Sequence, residues 1–139
     1  MPGPTLHPRL RRSLIRAGLV LVSLVPGLAF SAQAEGVAAA FGNTVATTYP
    51  DGRTQEIWLE PGGTWTGIGR THKPFSGAWT QKGEKICLRQ QRPTSFPFSY
   101  CPAFPASAHV GDGWASKDFF GTPIQVKLLA GHVNAQPTN

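Results

Sequence analysis

Between residues 43 and 130, short runs of alternating hydrophobic and polar residues follow one another along the chain. In the run 124–129, Ile124, Val126 and Leu128 would share one face of a strand, because successive side chains of a β-strand point to opposite faces. No segment of this region carries a sustained helical period. The pattern therefore predicts an all-β domain.

Turn residues separate these runs at intervals that suit β-hairpins. The predicted strands cover residues 44–49, 54–60, 64–69, 77–81, 85–90, 112–118 and 124–129. Pro50 fixes one φ angle in the turn "PDG", and Gly52 is free to take a positive one. Turn signals spaced about 8 to 12 residues apart are typical of all-β barrels and sandwiches. We therefore expect a small antiparallel up-and-down barrel, or a sandwich, of about seven or eight strands.

Residues 1–34 have the composition of a secretory signal peptide. A basic segment (7–16) precedes an apolar run (17–30), and the small-residue site "AQA" ends at Ala34, after which cleavage is expected. The apolar run has 14 residues, whereas a membrane-spanning helix needs about 20. The leader thus predicts a periplasmic or secreted protein with no transmembrane segment after cleavage.

The arginines of the leader bear on the export route. Arg11 and Arg12 resemble the pair in a twin-arginine signal, but Leu14 stands where that signal usually has an aromatic residue. Arginine pairs are also common in ordinary leaders, where they orient the segment by the positive-inside rule. The sequence therefore favours the Sec route over the Tat route.

Removal of the leader changes the charge of the protein. The whole chain has a formal net charge of +6, but without the leader nine basic and seven acidic residues remain, which leaves +2. The remaining basic residues are scattered, whereas a nucleic-acid interface needs a clustered patch. We expect no nucleic-acid partner.

The chain that follows the leader suits one domain with one modest core. Its expected parts are a lead-in segment (35–42), a single β domain (43–130) and a flexible tail (131–139). No Gly/Ser-rich linker divides it, and we expect a monomer.

Cys87 and Cys101 are the only cysteines of the chain. In an exported protein two cysteines pair far more often than they act as nucleophile or metal ligand. No C-x-x-C or H-E-x-x-H spacing is present to suggest zinc. We therefore predict a structural disulfide, no metal and no cofactor.

The histidines and acidic residues offer weaker candidates for chemistry. His72, His109 and His132 lie in or beside predicted loops or the tail. His109 and Asp112 could share a metal, although "GDG" (111–113) is more simply a turn. Glu56 and Glu60 are four residues apart and are expected on a solvated strand face. No catalytic residue can be assigned from these patterns.

The most distinctive stretch is the proline-rich segment, residues 93–105, in which prolines alternate with aromatic residues. Its aromatic side chains are Phe96, Phe98, Tyr100 and Phe104. Prolines cannot donate to a sheet, so we expect a loop with a short edge strand at 98–101. The segment can be a flap that covers one end of the core, or a pre-ordered apolar surface for a partner or ligand.

The four tryptophans are expected to pack mainly in the core, where each can bury about 150 to 250 Å². Trp65 and Trp79 are predicted in neighbouring strands, and Trp58 and Trp114 could complete an aromatic set. The alternative is an exposed stacking platform for sugars or bases, which needs several rings on one face. Sequence alone leaves these two interpretations open.

The order of these motifs resembles that of small exported proteobacterial β-domains, many of which have no assigned function. The stretches that carry the resemblance are "GNTVATTYPDG", "GGTWTG", "SGAWTQKGEKICL" and "VGDGW". The hairpin "GAWTQKGEKICL" is also similar to one in secreted bacterial metalloprotease inhibitors, which implies a lipocalin-like barrel with one disulfide. The cysteines of those inhibitors bracket an earlier part of the barrel, and residues 35–43 do not match their inhibitory trunk. No inhibitory residue is carried over.

These observations favour a non-catalytic exported β-domain. It would bind a partner protein or a small apolar ligand through the segment 93–105 or through a barrel mouth. A secreted protease inhibitor is one alternative. A small envelope hydrolase, with one of the histidines beside a carboxylate, is another.

Overall fold

A computed structural model of the protein describes Met1, Gly3 and residues 35–94 and 97–133. The predicted signal peptide, residues 1–34, lies outside the described residues apart from Met1 and Gly3. In the part of the chain that is described, no helix is long and apolar enough to cross a membrane.

The described residues form a short 3-10 helix and seven strands. These elements are the helix Gly36–Ala40 and the strands β1 (Thr44–Thr48), β2 (Thr54–Leu59), β3 (Thr64–Ile68), β4 (Pro74–Lys82), β5 (Lys85–Arg92), β6 (Gly113–Lys117) and β7 (Pro123–Leu129). Each predicted strand is confirmed. Strand β4 begins earlier than predicted, because Pro74 pairs with Ile68, and proline is tolerated as the first residue of a strand.

All seven strands belong to one antiparallel sheet with the order β5-β4-β3-β2-β1-β7-β6. Successive hairpins build β1 to β5, and β7 returns to pair with β1. The sheet is curled into a half-barrel, so the all-β, barrel-like prediction is confirmed and the sandwich alternative is not.

The hydrophobic core lies on the concave face of the sheet. Ile124, Val126 and Leu128 all point into it, as their alternation predicts, and are exposed by 8% or less. Burial of one such side chain stabilises the fold by about 1.5 to 3 kcal/mol. Ala39 and Ala40 of the 3-10 helix, which belongs to the expected lead-in segment, also pack in this core.

Two glycines allow neighbouring strands to approach closely. A Cβ atom at Gly67 would lie 2.4 Å from the carbonyl oxygen of Glu56, and one at Gly77 would lie 1.9 Å from that of Arg89. The register between β4 and β5 also shifts between Ser76 and Gly77. Glycine is therefore required at both positions, because a side chain there would collide with the backbone of the neighbouring strand.

Thr44 lies on the outer face of the sheet, where it is completely buried and joins Trp58 to the residues that follow β7. Its hydroxyl donates to the carbonyl oxygen of Gly131 at 2.7 Å and accepts from Trp58 Nε1 at 2.8 Å and from the Val133 N–H at 2.9 Å. The His132 ring stacks on Trp58 at 5.6 Å. A hydroxyl has one proton and two lone pairs, so these contacts use its full capacity. Of the expected tail, residues 131–133 thus contact the sheet, and 134–139 lie outside the described residues.

The expectation of a solvated face for Glu56 and Glu60 is wrong for Glu56, which is 0% exposed. It lies on the outer face of β2, the middle strand of the sheet, between Ala46 of β1 and Ile68 of β3. Glu60, beyond the end of β2, is exposed.

The tryptophans divide between the two faces. Trp65 is 3% exposed and packs edge-on against Phe75 in the core. Trp79 lies on the neighbouring strand, as predicted, and its indole N–H donates to the Glu60 carbonyl oxygen at 2.9 Å. Because Trp58 is on the outer face with Thr44, the rings do not form one stacking platform.

Candidate functional site

The described part of the proline-rich segment fills the open side of the half-barrel, between the edge strands β5 and β6. It pairs with β5 through an irregular antiparallel bridge, in which the Leu88 N–H donates to the Tyr100 carbonyl oxygen at 2.8 Å and the Tyr100 N–H donates back at 2.9 Å. Further along, the Phe104 N–H donates to the Glu84 carbonyl oxygen at 2.7 Å. The segment therefore occupies the position of an eighth, irregular strand.

The other side of this segment meets β6 through side chains. The Tyr100 hydroxyl donates to the carbonyl oxygen of Lys117, and the Phe104 ring packs edge-on against Trp114 with 5.0 Å between centroids. Within residues 35–94 and 97–133, no backbone hydrogen bond joins the segment to β6. We call this junction, formed by Tyr100, Phe104, Trp114 and Lys117, the seam.

A disulfide between Cys87 and Cys101 fixes the segment to β5, as predicted. Cys87 lies on β5 and is buried, and its Cα atom is 4.0 Å from that of Cys101. The crosslink therefore holds the segment in place immediately beside Tyr100.

The concave face, closed by this segment, encloses a cavity of about 340 Å³. Its floor is apolar and includes Val45, Ile57, Leu59, Trp65, Ile86 and Val126. This volume is at the lower end of the range of about 300 to 1,000 Å³ that small-molecule sites occupy. The cavity is large enough for a small ligand that is mostly hydrophobic.

Five of the exposed and half-exposed lining residues form what we call the rim of the cavity: Arg70, Phe98, Asp118, Phe119 and Phe120. Phe98, Phe119 and Phe120 are 65%, 53% and 85% exposed, respectively. Asp118 shapes the turn that carries two of these rings, because its Oδ1 accepts from the Phe120 N–H at 2.9 Å and the Thr122 N–H at 2.8 Å. The fold therefore presents aromatic side chains to solvent at the cavity rim.

Two tyrosines place hydroxyl groups in the cavity lining. Burial raises the pKa of Tyr49, against a smaller opposing effect of Arg70. Burial also raises the pKa of Tyr100, and a hydrogen bond with Ser116 opposes it. Both phenols therefore stay protonated near neutral pH and act as hydrogen-bonding groups rather than as bases.

The predicted binding residues have different surroundings. Phe98 is on the exposed rim, Tyr100 lines the cavity at the seam, and Phe104 is 5% exposed and packs in the core. Phe96 lies outside the described residues. The segment thus has features of both predicted roles: Phe104 is buried like part of a flap over the core, and Phe98 is exposed like part of a binding surface.

Several residues of the site are not found by sequence reasoning. Arg70, Tyr49 and Asp118 lie in or beside turns that are remote from one another in the chain. One sequence signal could have indicated the rim: Phe119 and Phe120 are adjacent in the turn between two predicted strands. Turns seldom expose two large apolar residues together.

The three histidines among the described residues lie away from the cavity lining. His72 is in the turn between β3 and β4, and His132 stacks on Trp58 on the outer face. His109 lies 3.6 Å from Glu35 and 3.7 Å from Asp112 on the surface, and its backbone N–H donates to Asp112 in a turn. No group of three or more metal-ligating side chains occurs in the described part of the chain.

Comparisons with protein-family models, with curated proteins and with solved structures find no match to this chain.

Proposed function

We propose that this protein is an exported, non-catalytic binding domain whose concave cavity holds a small apolar ligand. The observation that carries the proposal is the cavity of about 340 Å³ with an apolar floor and an aromatic rim. Ligand sites are typically concave and mostly apolar, with a small number of polar groups that set orientation. Tyr49, Arg70 and Tyr100 supply those groups.

Export by the Sec route and a periplasmic or extracellular location belong to the same proposal. The support is the leader composition together with the disulfide, which is consistent with an oxidising compartment.

A partner protein that docks on the rim is the second candidate. The exposure of Phe98, Phe119 and Phe120 favours it, because aromatic residues are enriched at interfaces. The two candidates differ in where the binding energy arises: inside the cavity for a ligand, and at its rim for a protein.

Titration of the oxidised, exported protein with N-phenylnaphthylamine, a neutral apolar dye that fluoresces in apolar sites, tests the first candidate. Val126→Phe fills the cavity from β7, and we expect dye affinity to fall by about tenfold or more, since a lost contact of 1.4 kcal/mol has that effect. Val110→Phe is the matched control, because Val110 is 44% exposed and outside the lining.

A second variant covers the case in which Val126→Phe perturbs the fold. Ala103→Trp narrows the cavity from the proline-rich segment at an exposed position, and circular dichroism reports whether the sheet is retained. Equal dye binding by wild type and by both filled variants would refute the ligand proposal. Loss of dye binding in Ala103→Trp with an intact sheet would support it.

A further inference from the structure

We propose that the ligand is an amphipathic monoanion, with its apolar part in the cavity and its single carboxylate on Arg70. This inference rests on the proposed function and specifies its ligand class. It starts from the one basic side chain that lines the cavity among the described residues.

Arg70 is held at the rim by its packing. It lies in the turn between β3 and β4, which is closed by hydrogen bonds from the Gly69 N–H to the Lys73 carbonyl oxygen and from the His72 N–H to the Gly69 carbonyl oxygen, both 2.9 Å long. Its guanidinium carbon lies 4.0 Å from the centroid of the Tyr49 ring. Such a cation–π contact fixes the position of the charge and leaves the edges of the guanidinium open.

The guanidinium donors of Arg70 are unused within the part of the chain that the structure describes. Over residues 35–94 and 97–133, no carboxylate or carbonyl oxygen is within ion-pair or hydrogen-bond distance of its guanidinium. Arg53 differs, because its guanidinium contacts Asp51 at 2.7 and 2.8 Å. An arginine with free planar donors beside an apolar cavity suits a carboxylate, which it can bind through two parallel hydrogen bonds.

Asp118 limits the charge that the ligand can carry. One of its carboxylate oxygens is engaged by two backbone N–H groups, so the side chain is part of the turn. Asp118 nonetheless lines the same cavity as Tyr49, Tyr100 and Arg70. A second negative charge on the ligand would be repelled there, whereas one negative charge is offset by Arg70.

The apolar floor fixes the other end of the ligand. A cavity of about 340 Å³, at the lower end of the range of small-molecule sites, suits a medium-length acyl chain or a small aromatic acid. The floor residues Ile57, Leu59 and Ile86 offer such a chain aliphatic contacts and no charge.

Displacement of N-phenylnaphthylamine from the full oxidised protein tests the inference. The competitors are decanoate, decanol, decylamine and decyl phosphate, each below its micelle concentration. We expect decanoate to displace the dye at about a tenfold lower concentration than decanol, because its carboxylate, unlike a hydroxyl, forms charge-assisted hydrogen bonds with Arg70. Decylamine and the doubly charged decyl phosphate should both be weaker than decanoate.

Arg70→Gln should abolish the preference for decanoate over decanol, measured as the ratio of their displacement concentrations within the same variant, so that any change in dye affinity cancels. Arg53→Gln is the matched control, because Arg53 is exposed and lies outside the cavity lining, so this variant should keep the preference. If Arg70→Gln keeps the preference, Arg70 is not the anchor and the inference is overturned.

The two proposals fail in different ways. If the dye binds in the cavity and decanol competes as well as decanoate, the monoanion inference fails while the proposed function stands. If cavity-filling variants leave dye binding unchanged, both fail. A preference for decyl phosphate over decanoate would overturn the argument from Asp118.

Discussion

The hydroxyl of Tyr100 donates a hydrogen bond to the carbonyl oxygen of Lys117, across the seam that separates the proline-rich segment from β6. The same ring lines the cavity. A single side chain therefore contributes both to closing the barrel and to the surface that a ligand would contact.

Tyr100→Phe should destabilise the protein by about 1 kcal/mol, because the ring stays in place and a net hydrogen bond contributes about 0.5 to 1.5 kcal/mol. Urea denaturation measures the change. Tyr49→Phe is the matched control, since among the described residues the Tyr49 hydroxyl makes no hydrogen bond; it should change stability by about 0.5 kcal/mol or less. Equal stability of Tyr100→Phe and wild type would show that the seam does not depend on this bond.

Phe104→Ala should destabilise the protein strongly and Phe98→Ala only slightly, although both residues lie in the proline-rich segment. Phe104 is 5% exposed and Phe98 is 65% exposed. Truncation of a buried phenylalanine costs about 3 to 5 kcal/mol, whereas most surface changes lie within about 0.5 kcal/mol. Guanidinium denaturation distinguishes the two, and similar losses for both variants would contradict the assignment of Phe104 to the core and Phe98 to the rim.

Removal of the disulfide should cost about 3 kcal/mol, as the chain-entropy relation gives for a loop of this size. The double variant Cys87→Ala/Cys101→Ala tests this; alanine is chosen because Cys87 is buried. The proline-rich segment should then be less constrained, so the apolar dye should also bind more weakly. A loss below about 1 kcal/mol would mean that the other contacts of the segment suffice to hold it.

Stability should fall at alkaline pH because of Tyr49 and Tyr100. Burial raises the pKa of both phenols above the ordinary value of 10.0, so the folded state binds these protons more tightly than the unfolded state does. The resulting stabilisation is complete below pH 10.0 and is lost as the pH rises through the raised pKa values.

The measurement for this prediction is the free energy of unfolding in urea from about pH 9 to about pH 11. The double variant Tyr49→Phe/Tyr100→Phe should decline less steeply than wild type over that interval. Parallel declines would show that the two phenols do not cause the effect.

The strands and the crosslink could be predicted from sequence because their determinants are local. Alternation places Ile124, Val126 and Leu128 on one face whatever their neighbours are. Two cysteines behind a predicted signal peptide favour a disulfide on chemical grounds alone. Turn residues then set the ends of most strands to within a few positions.

The cavity could not be predicted, because it depends on the register between strands. Trp58 and Trp65 have similar surroundings in sequence, yet one packs on the outer face and the other in the core. In the same way, Phe98 and Phe104 differ in exposure because of how the segment pairs with β5, at Leu88 and Lys85, which the sequence does not show. The contact between Arg70 and Tyr49 joins two separate hairpin turns.

The hydrogen bonds of the Thr44 hydroxyl to Gly131 and Val133 have a practical consequence for handling the protein. Trimming the chain before Gly131 removes two partners of a buried hydroxyl. A shortened version would therefore give a misleadingly low melting temperature, and any ligand screen that used it would start from a weakened protein.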